Sequence, residues 1–190
     1  MRTMCSTAHC DSRCGDWCGD RRGMSLDLEY CQPRDSAPMK NALALIGWIL
    51  LCFAAAAAGA GFTTGDWYIL LNKPSWSPPG WVFGPVWTLL YTMMAIAAWR
   101  VWKLGGFTQQ RRPLTMFLVQ LALNAIWTPL FFGLRQLGLA FVEIIVMWFA
   151  ILATIIMFRR VSPGAAWLLV PYLLWVAFAS VLNGVLWWMN

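Results

Sequence analysis

Side chains able to make or break bonds are few in this chain, and where they fall limits its chemistry. Five of the six cysteines (Cys5, Cys10, Cys14, Cys18, Cys31) and the only histidine, His9, are confined to residues 1–38. Cys10, Cys14 and Cys18 are spaced i, i+4, i+8, whereas zinc sites pair cysteines closely and place a second pair well downstream. Residues 1–38 are therefore read as a disordered polar extension, or as lying ahead of a start at Met24 or Met39, and not as a metal site. The segment has no apolar core of its own, so it is not a signal peptide. Residues 39–190 hold no histidine, one cysteine (Cys52) and two carboxylates (Asp66, Glu143). Hydrolytic triads, zinc centres and histidine-ligated haem have too few candidates there, and no cofactor is required. Indole is what the chain has in quantity, with fourteen tryptophans.

The elements that must position those rings follow from composition. The 190 residues are 60% hydrophobic and 12% charged, with a mean hydropathy of +0.60, too apolar for a soluble domain of this size. A spanning helix needs ~20 mainly apolar residues, and five stretches qualify: 41–62, 79–102, 113–134, 137–158 and 164–188. Their apolar runs are continuous rather than alternating, which disfavours a β-barrel. The expected fold is all-α: a five-helix membrane domain over residues 39–190 following the 1–38 extension. Ser77 is expected to cap the second span and Pro78 to occupy its first position, with the helix under way near Pro79 and loosened or bent at Pro85.

The net charge of +6 raises the possibility of a nucleic-acid partner, and the placement of the charges removes it. Twelve basic residues precede the first span or lie between spans two and three or four and five, against Lys73 and Arg135 on the other side. That bias places the N-terminus inside and the C-terminus outside, and leaves no basic groove for a nucleic acid.

Four spans carry a polar or aromatic stripe. In the second, Gly80, Gly84, Trp87, Tyr91, Ala95 and Ala98 share one face, the two glycines leaving room beneath two rings. The third presents Gln120, Asn124, Trp127 and Phe131, the fourth Glu143, and the fifth Tyr172, Trp175, Ala179 and Asn183. At ~1.5 Å per residue in a ~30 Å layer, Trp87, Asn124 and Trp175 lie ~12–13 Å below the outer surface. Glu143 and Ala179 come out shallower, at ~7–9 Å. The stripes thus converge beneath the connector 63–78, which predicts a roofed cavity for a flat amphipathic ligand. Asn124 is read either as a pocket wall or as a bridge between helices. Glu143 should face protein or water and pair with Lys73 or Arg135, direct ligand contact being the alternative. Trp48, Trp81, Trp99, Trp102, Trp148, Trp167, Trp187 and Trp188 are read as interfacial anchors or packing. The small residues of the first span, Ala54 to Gly61, are read as a close-packing surface.

These residues form a recognisable set. Trp67-Tyr68, Lys73-Pro74-x-Trp76-x-Pro78-Pro79, Trp87 with Tyr91, Asn124 with Phe131-Phe132, Glu143, and Pro171-Tyr172-x-x-Trp175-x-x-Phe178-Ala179 with Leu182-Asn183 resemble the tryptophan-rich sensory protein/translocator protein family, the peripheral benzodiazepine receptors. The resemblance covers residues 39–190. It implies a five-helix membrane protein, often a homodimer, that binds porphyrins such as protoporphyrin IX and, in animal members, cholesterol and benzodiazepine-type ligands. Trp87, Asn124 and Trp175 match its pocket positions, and Tyr68, Lys73, Pro74 and Trp76 its first-loop lid, to which Trp67 is added here. The animal sterol motif near the C-terminus is missing, since residues 181–190 contain neither Tyr nor a basic residue.

The leading expectation is a receptor or sensor in a bacterial cell membrane that binds a tetrapyrrole in the outer half of the bundle. Trp87, Tyr91, Asn124, Trp127, Phe131, Glu143, Trp175, Ala179 and Asn183 would line the site, and Lys73 would meet a propionate. Two alternatives stand beside it. One is a light-dependent porphyrin-degrading enzyme using Trp87 and Trp175 as redox partners. The other is a porphyrin or sterol carrier, for which repeated halves and intramembrane relays would be expected.

Overall fold

The computed structural model describes residues 38–60 and 66–190, and it contains only helices and connectors there. The extension 1–37 and the stretch 61–65 of the connector, with the readings made for them above, lie outside the described residues. The elements are α1 (Pro38–Ala60), the short α2 (Asp66–Leu70), α3 (Gly80–Trp102), the one-turn α4 (Gly106–Gln109), α5 (Arg111–Thr128) continued by a π-turn over Pro129–Gly133, α6 (Leu137–Val161) and α7 (Pro163–Met189). Five of them, with the π-turn counted into α5, are long and apolar enough to cross a membrane. Their bounds fall within three residues of the predicted spans.

The five long helices close into a ring: α1 packs on α3, α3 on α7, α7 on α6, α6 on α5, and α5 back on α1. The core inside the ring is apolar and tight, with Met94, Ala95, Ala98, Phe117, Ile151 and Tyr172 fully buried. The alanines of α3 let its neighbours approach closely, as small residues do in lipid. A second, smaller core gathers toward the other end of the bundle around Phe131, Ala140, Leu182 and Leu186, with Trp67, Tyr68, Phe83 and Phe178 packed onto it.

Two local features position the site. Pro129 has no N–H to continue the α-helical ladder, and the chain widens into the π-turn, closed by Leu134 N–H donating to the Pro129 carbonyl at 2.8 Å. The wide turn delivers Phe131 and Phe132 side by side, ring centroids 4.7 Å apart, and such turns are frequent at functional sites. The chain then reverses through Arg135, whose φ of 56° is the one positive value at a non-glycine among the described residues.

The expected start of the second membrane helix is corrected in detail. Its first helical residue is Gly80, and Pro79 stands at the cap position without a side-chain hydrogen bond. Ser77 is used elsewhere: its N–H closes a turn onto the Pro74 carbonyl at 3.0 Å, and its side chain lies against the Tyr68 hydroxyl. Pro85 sits inside α3, which runs on to Trp102.

Candidate site: a roofed aromatic cavity

Inside the ring lies a cavity of about 720 Å³, within the roughly 300–1,000 Å³ range of small-molecule sites. All five membrane helices contribute to it. Ala56 comes from α1, Trp87 and Tyr91 from α3, Asn124 and Trp127 from α5 with Phe131 from its π-turn, Ile144 and Met147 from α6, and Trp175, Ala179 and Asn183 from α7. Gly80 and Gly84 also line it, and a Cβ built on either meets nothing within 4 Å. Here the missing side chains are themselves part of the cavity's volume.

Three polar side chains from three helices are joined in one buried network. The Tyr91 hydroxyl donates to Asn124 Oδ1; Asn124 Nδ2 donates to the Tyr172 hydroxyl at 3.0 Å; and that hydroxyl donates to Met147 Sδ at 3.7 Å. Asn124 therefore lines the cavity and bridges helices at once, with both ends of its amide engaged. Trp87 packs on this network, its ring centroid 5.4 Å from Tyr91 and 6.2 Å from Tyr172. Trp175 stands on a separate support, 5.9 Å from Phe83 and 5.6 Å from Phe178.

The lid is anchored to two sides of the bundle. Trp67 packs edge-on against Phe131 at 6.1 Å, and Tyr68 against Phe132 at 5.5 Å, so α2 rests on the π-turn. Trp76 packs against Phe178 of α7 at 6.0 Å. Asn72 is held from the end of α7: its N–H donates to Asn190 Oδ1 at 2.9 Å, and its carbonyl accepts from Asn190 Nδ2 at 3.1 Å. Lys73 Nζ sits 4.0 Å above the Tyr68 ring, where both side chains line the cavity. Burial raises the Tyr68 hydroxyl above its ordinary pKa of 10.0, the contact with Ser77 opposing in part.

Of the residues expected to bind ligand, Trp87, Tyr91, Asn124, Trp127, Phe131, Trp175, Ala179 and Asn183 share this cavity, joined by Tyr68 and Lys73 from the lid. Glu143 is not on its wall. The α6 residues on the wall are Ile144 and Met147; Glu143 stands at the edge of that stripe, ~100° from Ile144 and ~40° from Met147 in helical phase. Its expected ion pair is also corrected: both carboxylate oxygens are buried and make no hydrogen bond within the protein. The two cations proposed for it are engaged elsewhere, Lys73 over Tyr68 and Arg135 5.6 Å from the Trp67 ring. Trp67, Pro74 and Trp76 likewise do not line the cavity; the two tryptophans fasten the lid. Phe132 and Leu182 belong to the recognisable motifs but were not expected on the wall; sequence reasoning missed Ala56, Phe83, Thr128, Ile144, Met147, Val176 and Leu186 altogether. Apart from Thr128 these are apolar residues in apolar spans, and only helix phase marks them.

The sequence model of the TspO/MBR family matches residues 48–189. The Translocator protein of Homo sapiens is 46% identical over 147 residues, 75% of this chain and 87% of that one. The Tryptophan-rich sensory protein of Cereibacter sphaeroides is 43% identical over 142 residues, 72% of this chain and 88% of that one. The Tryptophan-rich protein TspO of Chlorobaculum tepidum is 43% identical over 148 residues, 76% of this chain and 94% of that one.

Proposed function

Because the chain belongs to the TspO/MBR family and carries five helices fit to cross a membrane, it is an integral multi-pass membrane protein, and we propose that it is a receptor or sensor for a tetrapyrrole. In this reading a flat, protoporphyrin IX-like molecule enters beneath the lid, lies between Trp87 and Trp175, and presents a propionate to Lys73. Occupancy would regulate tetrapyrrole metabolism or a stress response. The observation that carries the proposal is the pairing of two tryptophan walls with a lysine in one cavity of about 720 Å³. Aromatic faces favour a flat π-system, and a cation favours an anionic edge.

The proposal includes the orientation read from the basic residues, N-terminus in and lid out, a homodimeric assembly, and residence in a bacterial cell membrane. A light-dependent reaction of the bound porphyrin is kept as a second reading on one observation. Trp87 touches both Tyr91 and Tyr172, a chain of oxidisable rings that reaches the cavity.

Titration of the full chain in detergent or nanodiscs with protoporphyrin IX should quench tryptophan fluorescence saturably. Trp87→Ala and Trp175→Ala should each weaken binding about five- to 150-fold, taking ~1–3 kcal/mol as the value of one base-sized stacking contact. Unchanged affinity in both variants removes the cavity as the site. Illumination of the complex should give new absorbing products if the second reading holds, and none above a tryptophan-poor control protein if it does not.

A further inference from the structure

The polar groups around the cavity are of two kinds. Tyr91, Asn124 and Tyr172 bond to one another. Asn183, Trp127 and Trp175 do not: both amide atoms of Asn183 and the indole nitrogen of each tryptophan are covered, yet make no hydrogen bond within the protein. All three residues line the cavity, and Asn183 is 1% exposed. Native interiors hold few buried polar atoms without partners, because each one opposes folding. Gln120, Glu143 and Trp148 also hold unpaired buried polar atoms but do not line the cavity; the three residues that do line it offer their unpaired groups to whatever fills it. The free groups are three nitrogens that donate and one oxygen that accepts.

Charge narrows the match. Lys73 is the one cation among the lining residues, and an ionised acid belongs beside it. At Asn183 the setting differs. The Asn183 amide carries no charge and is 1% exposed, so an ionised acid held against it would be buried without a counter-charge.

We infer that Asn183 is a specificity-determining residue of the cavity. Its amide pairs edge to edge with a neutral group presenting an acceptor beside an N–H or O–H, as an un-ionised carboxyl, a lactam or a primary amide does. The indole N–H groups of Trp127 and Trp175 take further acceptors on the same flat molecule. A sterol fits poorly, because one hydroxyl accepts at most two hydrogen bonds and leaves at least one of the three donors bare. The inference deepens the tetrapyrrole reading, on which the choice of ring system rests; the chemistry of the edge stands on the free amide.

The test compares primary amides with esters, neither of which pairs with Lys73 as an anion does. Protoporphyrin IX bis-amide and its dimethyl ester are titrated against the wild-type chain and Asn183→Leu, which keeps the side-chain shape. The naphthyl pair 2-naphthamide and methyl 2-naphthoate is titrated in parallel. In the wild type the amide of each pair should bind roughly five- to thirtyfold more tightly than its ester, the effect of one satisfied hydrogen-bonding edge, and in Asn183→Leu the two should bind alike. The ligand-free variant should melt no lower than wild type, since it loses an amide that bonds to nothing. An amide-to-ester ratio unchanged by the substitution overturns the inference, whatever the melting temperature. Should no porphyrin derivative bind while the naphthyl ratio collapses in the variant, the tetrapyrrole reading fails and the amide edge stands.

Discussion

Replacing Asn124 by leucine tests whether the buried network holds the bundle together or merely decorates the cavity. The substitution keeps the branched, four-heavy-atom shape and is slightly larger, so no void contributes to the result. It removes two hydrogen bonds between helices, from Tyr91 and to Tyr172, each worth ~0.6 kcal/mol on average in a membrane protein. Tyr172 still has Met147 Sδ, whereas the Tyr91 hydroxyl, in a residue 7% exposed, is left without its acceptor. An orphaned hydroxyl costs ~1–3 kcal/mol, which overlaps the lost bond, so the net expectation is about 1–3 kcal/mol of destabilisation. Unfolding in mixed dodecyl sulfate micelles, followed by circular dichroism and tryptophan fluorescence, measures it. Tyr91→Phe should be costly alone, because it bares Asn124 Oδ1. The double variant removes both ends of the bond and should cost less than the sum of the singles by ~0.5 kcal/mol or more. Strict additivity, or an Asn124→Leu variant within ~0.3 kcal/mol of wild type, refutes the network as a structural tie. With its amide committed to the tyrosines, Asn124 should also matter less for porphyrin affinity than Trp87.

Gly84→Leu should abolish porphyrin binding, because the side chain fills open space in the cavity, while helical stability holds or rises by up to ~1 kcal/mol; titration and thermal melting on one preparation check both. Asn190→Ala removes the two bonds to Asn72 and should speed porphyrin association and dissociation in stopped-flow traces, with amide exchange at Asn72 accelerated. Rising pH should loosen the lid. Burial raises the Tyr68 pKa above 10.0, so the folded lid binds its proton more tightly than the unfolded chain. The associated stability is complete below pH 10 and is lost as pH climbs from there; in wild type the lid's tryptophan emission should shift over that window, and in Tyr68→Phe it should not.

The five spans were legible because bilayer thickness and hydropathy together fix their length, and the stripe of Trp87, Tyr91, Asn124 and Trp175 because helical phase and depth bring its members together. Three things were not legible. The π-turn arises from Pro129 displacing the hydrogen-bond ladder, and a proline in an apolar run reads equally well as a kink. Glu143 was expected to pair by elimination, since only two cations share its side, and aromatic rings took both. Asn190 was one more polar residue next to an interface, and its clasp on Asn72 joins positions 118 residues apart with no local signal to mark it.

The covering of the cavity is moored on opposite banks, to Phe131 and Phe132 on one and to Phe178 and Asn190 on the other. A flap secured along one margin swings whenever that margin yields; a bridge does not. Wide passage requires two separate moorings to release together, so its frequency should follow the product of two small probabilities. Weakening either one alone would then admit slim molecules at one side long before it admits a broad, rigid disc.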